Sequence, residues 1–119
     1  MVEITVQKRG NVRILKLKGR LDLEHVGRLG EEVTEARRET ARFIILNMID
    51  VTDLSSTGIG RIYNLMKECE TEGIRVLISD PSAVVEYVLD LARMKDVFRI
   101  FPSDEQALSF AARLSGQDQ

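Results

Sequence analysis

The chain has little of the chemistry that disulfides, metal centres and many active sites require. Its 119 residues include one cysteine, one histidine and no tryptophan. Cys69 cannot form an internal disulfide, and it falls in a helical pattern where a small buried apolar residue is expected. His25 alone cannot complete an ordinary zinc site, and a catalytic triad would have to use it at the start of a helix. We therefore expect no metal and no cofactor.

Two further absences concern charge and hydrophobic length. Lys and Arg number 17 against 19 Asp and Glu, with the signs mixed along the chain, so there is no basic stripe for nucleic acid. The longest apolar stretches, such as 43–46 and 84–92, are far shorter than the roughly 20 residues of a membrane span. The start, MVEITVQKRG, lacks the apolar region of a signal peptide. We expect a cytoplasmic protein that neither binds nucleic acid nor inserts into a membrane.

What is present is the ordinary composition of one globular domain. Hydrophobic residues make up 44% of the chain and charged residues 30%. No internal repeat, low-complexity stretch or long linker interrupts the sequence, and only the last residues, GQDQ, resemble a loose tail. We predict one domain over residues 1–115, followed by a flexible tail at 116–119.

Hydrophobic patterns predict the strands. VEITVQ and VRILKLKG stand on either side of the turn signal RGN, as the strands of an antiparallel hairpin do. RFIILNM and IRVLIS are apolar at consecutive positions, which is typical of parallel strands that are covered on both faces. VFRIF can form a short last strand.

Helical periodicity predicts four helices between and after these strands. The first falls within residues 23–40, and the second follows SSTG and ends near Gly73, a natural C-terminal cap. Asp80 is the expected N-cap of the third, and Ser103 with Gln106 has capping-box spacing for the last. The predicted fold class is α/β: a mixed sheet of about five strands, with an N-terminal antiparallel hairpin plus parallel strands, backed by about four helices.

A polar stretch, VTDLSSTGIG, occupies the expected strand-to-helix junction at residues 51–60. Loops after the carboxyl ends of parallel strands are where such folds usually place function. One of the hydroxyls of Ser55, Ser56 and Thr57 would be enough to cap the following helix. Three in succession also create a place where a phosphate would meet exposed N–H groups and the positive end of the helix dipole. Both interpretations, a cap and a modifiable surface, stay open on this evidence.

Enzyme motifs are missing from the same stretch. TGIGRI lacks the spacing GxxxxGK[ST] of a phosphate loop, and GIG lacks the third glycine of a dinucleotide-binding fingerprint. Asp50 and Asp53 could suggest acid–base chemistry, but the formation of a surface turn is the favoured interpretation of this pair. We expect no enzymatic activity.

Two motifs resemble the STAS domain family, which is named for sulfate transporters and anti-sigma factor antagonists. VTDLSSTGIG is similar to the signature loop of the family, usually Asp-Ser-Ser-Gly-Leu-Gly or Ser-Ser-Ala-Gly-Leu. GRLDLEHVGRL resembles the Gly-x-Leu-Asp segment that leads into its first helix. The similarity extends over nearly all of residues 2–112, and the family has the order of elements predicted above.

For the soluble bacterial members, the resemblance implies signal transduction by partner switching in transcription regulation. The unphosphorylated domain binds an anti-sigma factor that is also a serine/threonine kinase of the histidine-kinase-like ATP-binding fold. This frees the sigma factor; the kinase phosphorylates the loop and a phosphatase resets it. Alignment on Gly58 places the acceptor at Thr57, with Ser56 beside it, and Ser55 in the slot that often holds aspartate. Asp22 matches a family aspartate near the acceptor.

A departure from the family pattern keeps alternatives open. Ser55 replaces the usual acid, and Thr57 fills a slot where many relatives carry alanine, so Ser56 or no residue at all could take the phosphate. A constitutive STAS interaction module, either a scaffold or a transporter accessory, is the alternative function. Gly58 and Gly60 are expected to let a partner approach the backbone closely. The predicted partner-binding residues are Asp22, Ser55, Ser56, Thr57, Gly58, Ile59, Gly60, Arg61 and Asn64.

Overall fold

A five-stranded mixed sheet forms the centre of the fold in the computed structural model, which describes residues 2–117. β1 and β2 are antiparallel and the later neighbours are parallel. These elements confirm the predicted fold class. In sheet order, the strands are β1 (Val2–Arg9), β2 (Val12–Leu21), β3 (Phe43–Leu54), β4 (Arg75–Ser79) and β5 (Arg99–Phe101). The helices are α1 (Gly27–Arg38), α2 (Ser56–Glu70), α3 (Ala83–Leu91) and α4 (Asp104–Gln117).

The first half of β3, residues 43–48, is buried on both faces of the sheet. Ile44 and Leu46 point toward the larger core, which α1, α2 and α3 cover. Phe43 and Ile45 point toward the smaller core, which α4 covers. A strand between two layers of helices can carry apolar side chains at consecutive positions, and this is the pattern that predicted a central strand.

Two predicted helix boundaries are confirmed by backbone hydrogen bonds. Gly73 has φ +76°, and the N–H of Ile74 donates to the carbonyl of Cys69 at 2.9 Å, as in a glycine-terminated helix. At the start of α4, the hydroxyl of Ser103 accepts the N–H of Gln106 at 3.2 Å. Both signals depend on residues close together in the sequence.

The expected N-cap of α3 is wrong by two residues. Asp80 donates its N–H to the carbonyl of Phe101 at 2.9 Å, so it belongs to the connection beside β5 and not to the helix. Ser82 is the N-cap, because its hydroxyl accepts the N–H of Val85 at 3.3 Å. The same hydroxyl donates to the carbonyl of Val51 at 2.8 Å, which ties α3 to the second half of β3.

The turn expected around Asp50 and Asp53 is also wrong. β3 continues to Leu54, because the long β2 pairs with this second half of the strand. Asp50 lies 3.7 Å from Lys16 and Asp53 lies 3.8 Å from Arg20, measured between the charged atoms. These carboxylates therefore form cross-strand ion pairs on a solvent-exposed face of the sheet.

The last helix overlaps the predicted flexible tail. α4 continues through Gln117, while Asp118 and Gln119 lie outside the described residues. The division into a domain of residues 1–115 and a tail of 116–119 stays a prediction. Within residues 2–117, none of the helices combines the length and the apolar character that crossing a membrane requires.

Replacing Ile45 with aspartate should abolish most of the stability of the domain. Ile45 is 0% exposed, so Ile45→Asp would bury an unpaired charge at a cost of several kcal/mol, on the order of the whole stability of a small domain. Ile49 lies on the same strand and is 44% exposed, so Ile49→Asp is the matched control and should cost less than about 1 kcal/mol. Denaturant unfolding measures both, and equal midpoints would contradict the burial of β3.

Candidate functional site

The hydroxyl triplet lies at a direct junction between a strand and a helix. β3 ends at Leu54 and α2 begins at Ser56, so Ser55 alone connects them. The backbone of Ser55 is extended, with φ −86° and ψ 162°, and its hydroxyl accepts the N–H of Gly58 at 2.9 Å. Ser55 is therefore the N-cap of α2, and one of the three hydroxyls is committed to the structure.

The other two hydroxyls are exposed in the first turn of α2. Ser56 and Thr57 both face solvent, and within residues 2–117 neither side chain forms a hydrogen bond. The first turn contains no acidic residue that would compensate the positive end of the helix dipole. The junction thus combines a fixed cap with two accessible hydroxyls in a place that favours negative charge.

Gly58 allows the first turn of α2 to pack directly on the end of β2. A Cβ at this position would overlap the carbonyl oxygen of Leu21, which also accepts the N–H of Ser55 at 3.2 Å. Gly58 is buried, so packing and not partner access explains this glycine. Gly60 differs, because a Cβ there would meet no heavy atom within 4 Å. Of the two glycines, only Gly60 offers the open approach that the sequence suggested.

The remaining predicted residues of α2 divide between its two faces. Arg61 and Asn64 are exposed, and helical spacing places them on one face with Thr57 and Gly60. We call these four residues the α2 stripe. Ile59 is 2% exposed and belongs to the larger core, so its side chain does not reach this surface.

Asp22 lies beside the junction because of strand pairing. Leu21 of β2 is the partner of Leu54 of β3, and Asp22 and Ser55 are the residues that directly follow this pair. The carboxylate of Asp22 accepts the N–H of His25 at 3.0 Å, and the ring Nδ1 of His25 lies 2.6 Å from the same oxygen. The structure therefore places Asp22 next to the hydroxyl triplet, at the start of the turn that leads to α1.

The charge of Asp22 is supported by its neighbours. Partial burial would raise the pKa of this carboxyl, but the two hydrogen bonds from His25 and the charges of His25 and Arg20 outweigh burial, and the pKa is lowered. Arg20 Nε lies 3.4 Å from Asp22 and 3.8 Å from Asp53. One carboxylate oxygen of Glu24 lies within 4.8 Å of ligand atoms of Asp22 and His25, and exposed acidic groups are commonly grouped in this way without a metal ion.

Two neighbours of the site and one residue that anchors α3 were not predicted from the sequence. Arg20 bridges the carboxylates of Asp22 and Asp53. Its position at the end of β2, two residues before Asp22, is the signal that could have predicted this ion pair. Leu23 is 70% exposed, and it stands outside the apolar period that continues along α1. Ser82 anchors α3 to β3, and a serine directly before the apolar, helix-periodic residues of α3 is the signal that could have identified it.

Comparison with protein families identifies one match that covers most of the chain. A family model described as the STAS domain matches residues 3–107. This range includes the junction, the α2 stripe, Asp22 and all of the five strands except Val2, the first residue of β1.

Four solved structures, two of which are forms of SpoIIAA, share the fold. A proposed anti-sigma factor antagonist from Thermotoga maritima is 22% identical with a TM-score of 0.79, over 89% of this chain and 92% of that one. The unphosphorylated anti-sigma factor antagonist SpoIIAA is 22% identical with a TM-score of 0.76, over 96% and 97%. The phosphorylated form of SpoIIAA, a cell fate determinant of Bacillus, is 20% identical with a TM-score of 0.70, over 92% and 99%. A sulfate transporter family protein from Wolinella succinogenes is 23% identical with a TM-score of 0.78, over 91% and 90%.

The two glycines of the junction should respond oppositely to alanine. Gly58→Ala forces α2 away from Leu21 and should lower the free energy of unfolding by about 1–3 kcal/mol. Gly60→Ala meets open space in a helix and should leave stability unchanged or raise it by up to about 1 kcal/mol. Thermal and denaturant unfolding of both variants measure this difference. A Gly58→Ala variant as stable as the parent would show that the close contact with β2 is absent.

The Asp22 carboxylate should contribute stability that is lost in acid. Its pKa in the folded state is below the unfolded value, so the contribution is complete above the unfolded pKa of about 3.9 and disappears as the pH falls through the folded pKa. Asp22→Asn should therefore be less stable than the parent at pH 7, and the difference should shrink toward pH 3. Unfolding curves between these pH values test it, and a difference independent of pH would exclude this role of the charge.

Proposed function

The chain belongs to the STAS domain family, and from this we propose that it is an anti-sigma factor antagonist that acts by partner switching. When it is unphosphorylated, it binds an anti-sigma factor that is also a serine/threonine kinase of the histidine-kinase-like ATP-binding fold. A phosphate on Thr57 or Ser56 releases this partner, and a phosphatase restores binding. The role is protein–protein interaction in bacterial transcription regulation, in the cytoplasm, and not catalysis.

The observation that carries the proposal is that the three hydroxyls of the triplet have different roles. Ser55 is used as the cap, while Ser56 and Thr57 are exposed in a first turn that has no acidic side chain. A phosphate on either exposed hydroxyl adds about −1.5 to −2 charges at a helix end that favours negative charge. The free protein can therefore carry the modification without unfolding.

A bound partner would respond differently to the same phosphate. In an interface formed by the α2 stripe and Asp22, the phosphate would have to lose its water. The carboxylate of Asp22 lies at the same end of the sheet and would repel it. We therefore expect phosphorylation to lower the affinity for the partner while the fold stays intact.

A constitutive interaction module is the second candidate function. It is favoured by the similarity in fold to the sulfate transporter family protein from Wolinella succinogenes. The departure at Ser55 from the usual acid also supports it. Such a scaffold or transporter accessory would use the same surface but would not be switched by phosphate. A neighbouring gene for an anti-sigma kinase or a phosphatase would favour the first function, and a transporter operon would favour the second.

Phosphorylation should weaken the complex by a factor of about one hundred or more, which corresponds to roughly 3 kcal/mol. Affinity purification from the native cell identifies the kinase, which is then titrated with unmodified and kinase-treated protein, and mass spectrometry locates the phosphate. Thr57→Ala or Ser56→Ala, whichever removes the acceptor, should bind the kinase but should not be released from it by phosphorylation.

Gly60→Gln should weaken binding of the kinase without unfolding the protein, because it adds bulk in the open part of the α2 stripe.

Ser109→Ala serves as the control for these measurements. Ser109 is an exposed hydroxyl on α4, on the other side of the sheet, and its loss should change neither binding nor release. If the kinase modifies none of the three hydroxyls of the triplet, or if the phosphorylated protein binds as tightly as the unmodified one, the switch is wrong. The constitutive module then becomes the better explanation.

A further inference from the structure

Arg61 is an exposed cation on α2 without a carboxylate partner in the part of the chain that the structure describes. Side chains three and four positions away on a helix are its natural neighbours. For Arg61 these positions hold no acid; they are Thr57, Gly58, Asn64 and Leu65. Three other helical cations have such a partner, in the pairs Arg28–Glu32, Arg38–Glu35 and Lys67–Glu70, while Arg113 of α4 lies near the ring of Phe110.

The helix geometry directs Arg61 toward Thr57. Residues four apart lie on one face with about 5–6 Å between their Cβ atoms, and side chains lean toward the N-terminus of the helix. An anion placed N-terminal to a cation at this spacing is the more favourable order of the two. Thr57 carries the only side chain at these positions that could acquire a negative charge through phosphorylation.

The other hydroxyls of the triplet lack such a neighbour. Three and four residues after Ser56 stand Ile59, which is buried, and Gly60, which has no side chain. The oxygen of Ser55 is already bonded to the N–H of Gly58. Within the triplet, Thr57 is therefore the position with a helical cation in reach.

We propose that Arg61 is the positioning partner of a phosphate on Thr57 and makes Thr57, not Ser56, the effective position of the switch. This inference rests on the proposed function. A guanidinium can donate two parallel hydrogen bonds to phosphate oxygens, which a point charge cannot do. The pairing also engages the positive charge of Arg61, which a partner could otherwise contact. One phosphorylation thus adds a negative charge to the α2 stripe and neutralises the positive charge of Arg61.

The test uses phosphoserine that is genetically incorporated in the full chain at position 57 and, separately, at position 56. Each protein is made with Arg61 intact, with Arg61→Gln and with Arg61→Lys, and the second pKa of the phosphate is measured by phosphorus NMR. With the phosphate at position 57, Arg61→Gln should raise this pKa by about half a unit. Arg61→Lys should raise it less, because lysine retains the charge. With the phosphate at position 56, Arg61→Gln should leave the pKa unchanged.

Arg75→Gln is the matched control, because Arg75 is exposed at the opposite end of the sheet and should affect neither phosphate. Thermal unfolding of every variant confirms that it is folded. An unchanged pKa at position 57 after Arg61→Gln would overturn the proposal, as would an equal effect of Arg61→Gln at both positions. No kinase or partner enters this measurement. The NMR measurement therefore tests only the pairing of Arg61 with the phosphate. The proposed switch is tested separately, by the titration of the kinase partner.

Discussion

The contact between the first turn of α2 and the carbonyl of Leu21 determines the geometry of the candidate site. Gly58 permits this contact because any side chain there would overlap the carbonyl oxygen, and the N–H of Ser55 donates to the same oxygen. Leu21 is also the strand partner of Leu54. One backbone carbonyl therefore holds together the end of β2, the end of β3 and the start of α2, and Asp22 follows directly.

This arrangement separates what the fold needs from what a partner can use. Ser55 and Gly58 face inward and hold the junction, whereas Ser56, Thr57 and Gly60 face solvent in the same turn. The side chains behind the junction belong to a core that is covered by α1, α2 and α3. A change of charge on the exposed side of the turn leaves the packing beneath it undisturbed, as the proposed function requires.

The electrostatics of the site would be stronger in a partner interface than in the free protein. The start of α2 favours a negative charge, and Arg61 stands one helical turn further on. The carboxylates of Asp22 and Asp53, bridged by Arg20, lie at the same end of the sheet. In water these groups are screened, but an interface that excludes water would strengthen both the attraction and the repulsion. This difference in screening would be the physical basis of the proposed switch, which acts on affinity and not on folding.

The sequence by itself determined the fold class and the chemistry of the junction, because both depend on patterns among residues that are close together along the chain. Consecutive apolar residues predicted β3, Gly73 and Ser103 marked helix ends, and the hydroxyl triplet predicted a cap with room for a phosphate. Only the tertiary structure decided that Ser55 is the cap, that Gly58 serves packing and that Asp50 and Asp53 lie in a strand. Ser82 as the N-cap of α3 was decided in the same way. Ser55 and Gly58 are placed by the carbonyl of Leu21 in β2, and the two aspartates by the pairing of β3 with β2. Ser82 is placed by its bond to Val51 in β3. A local pattern carries no information about which distant backbone will approach.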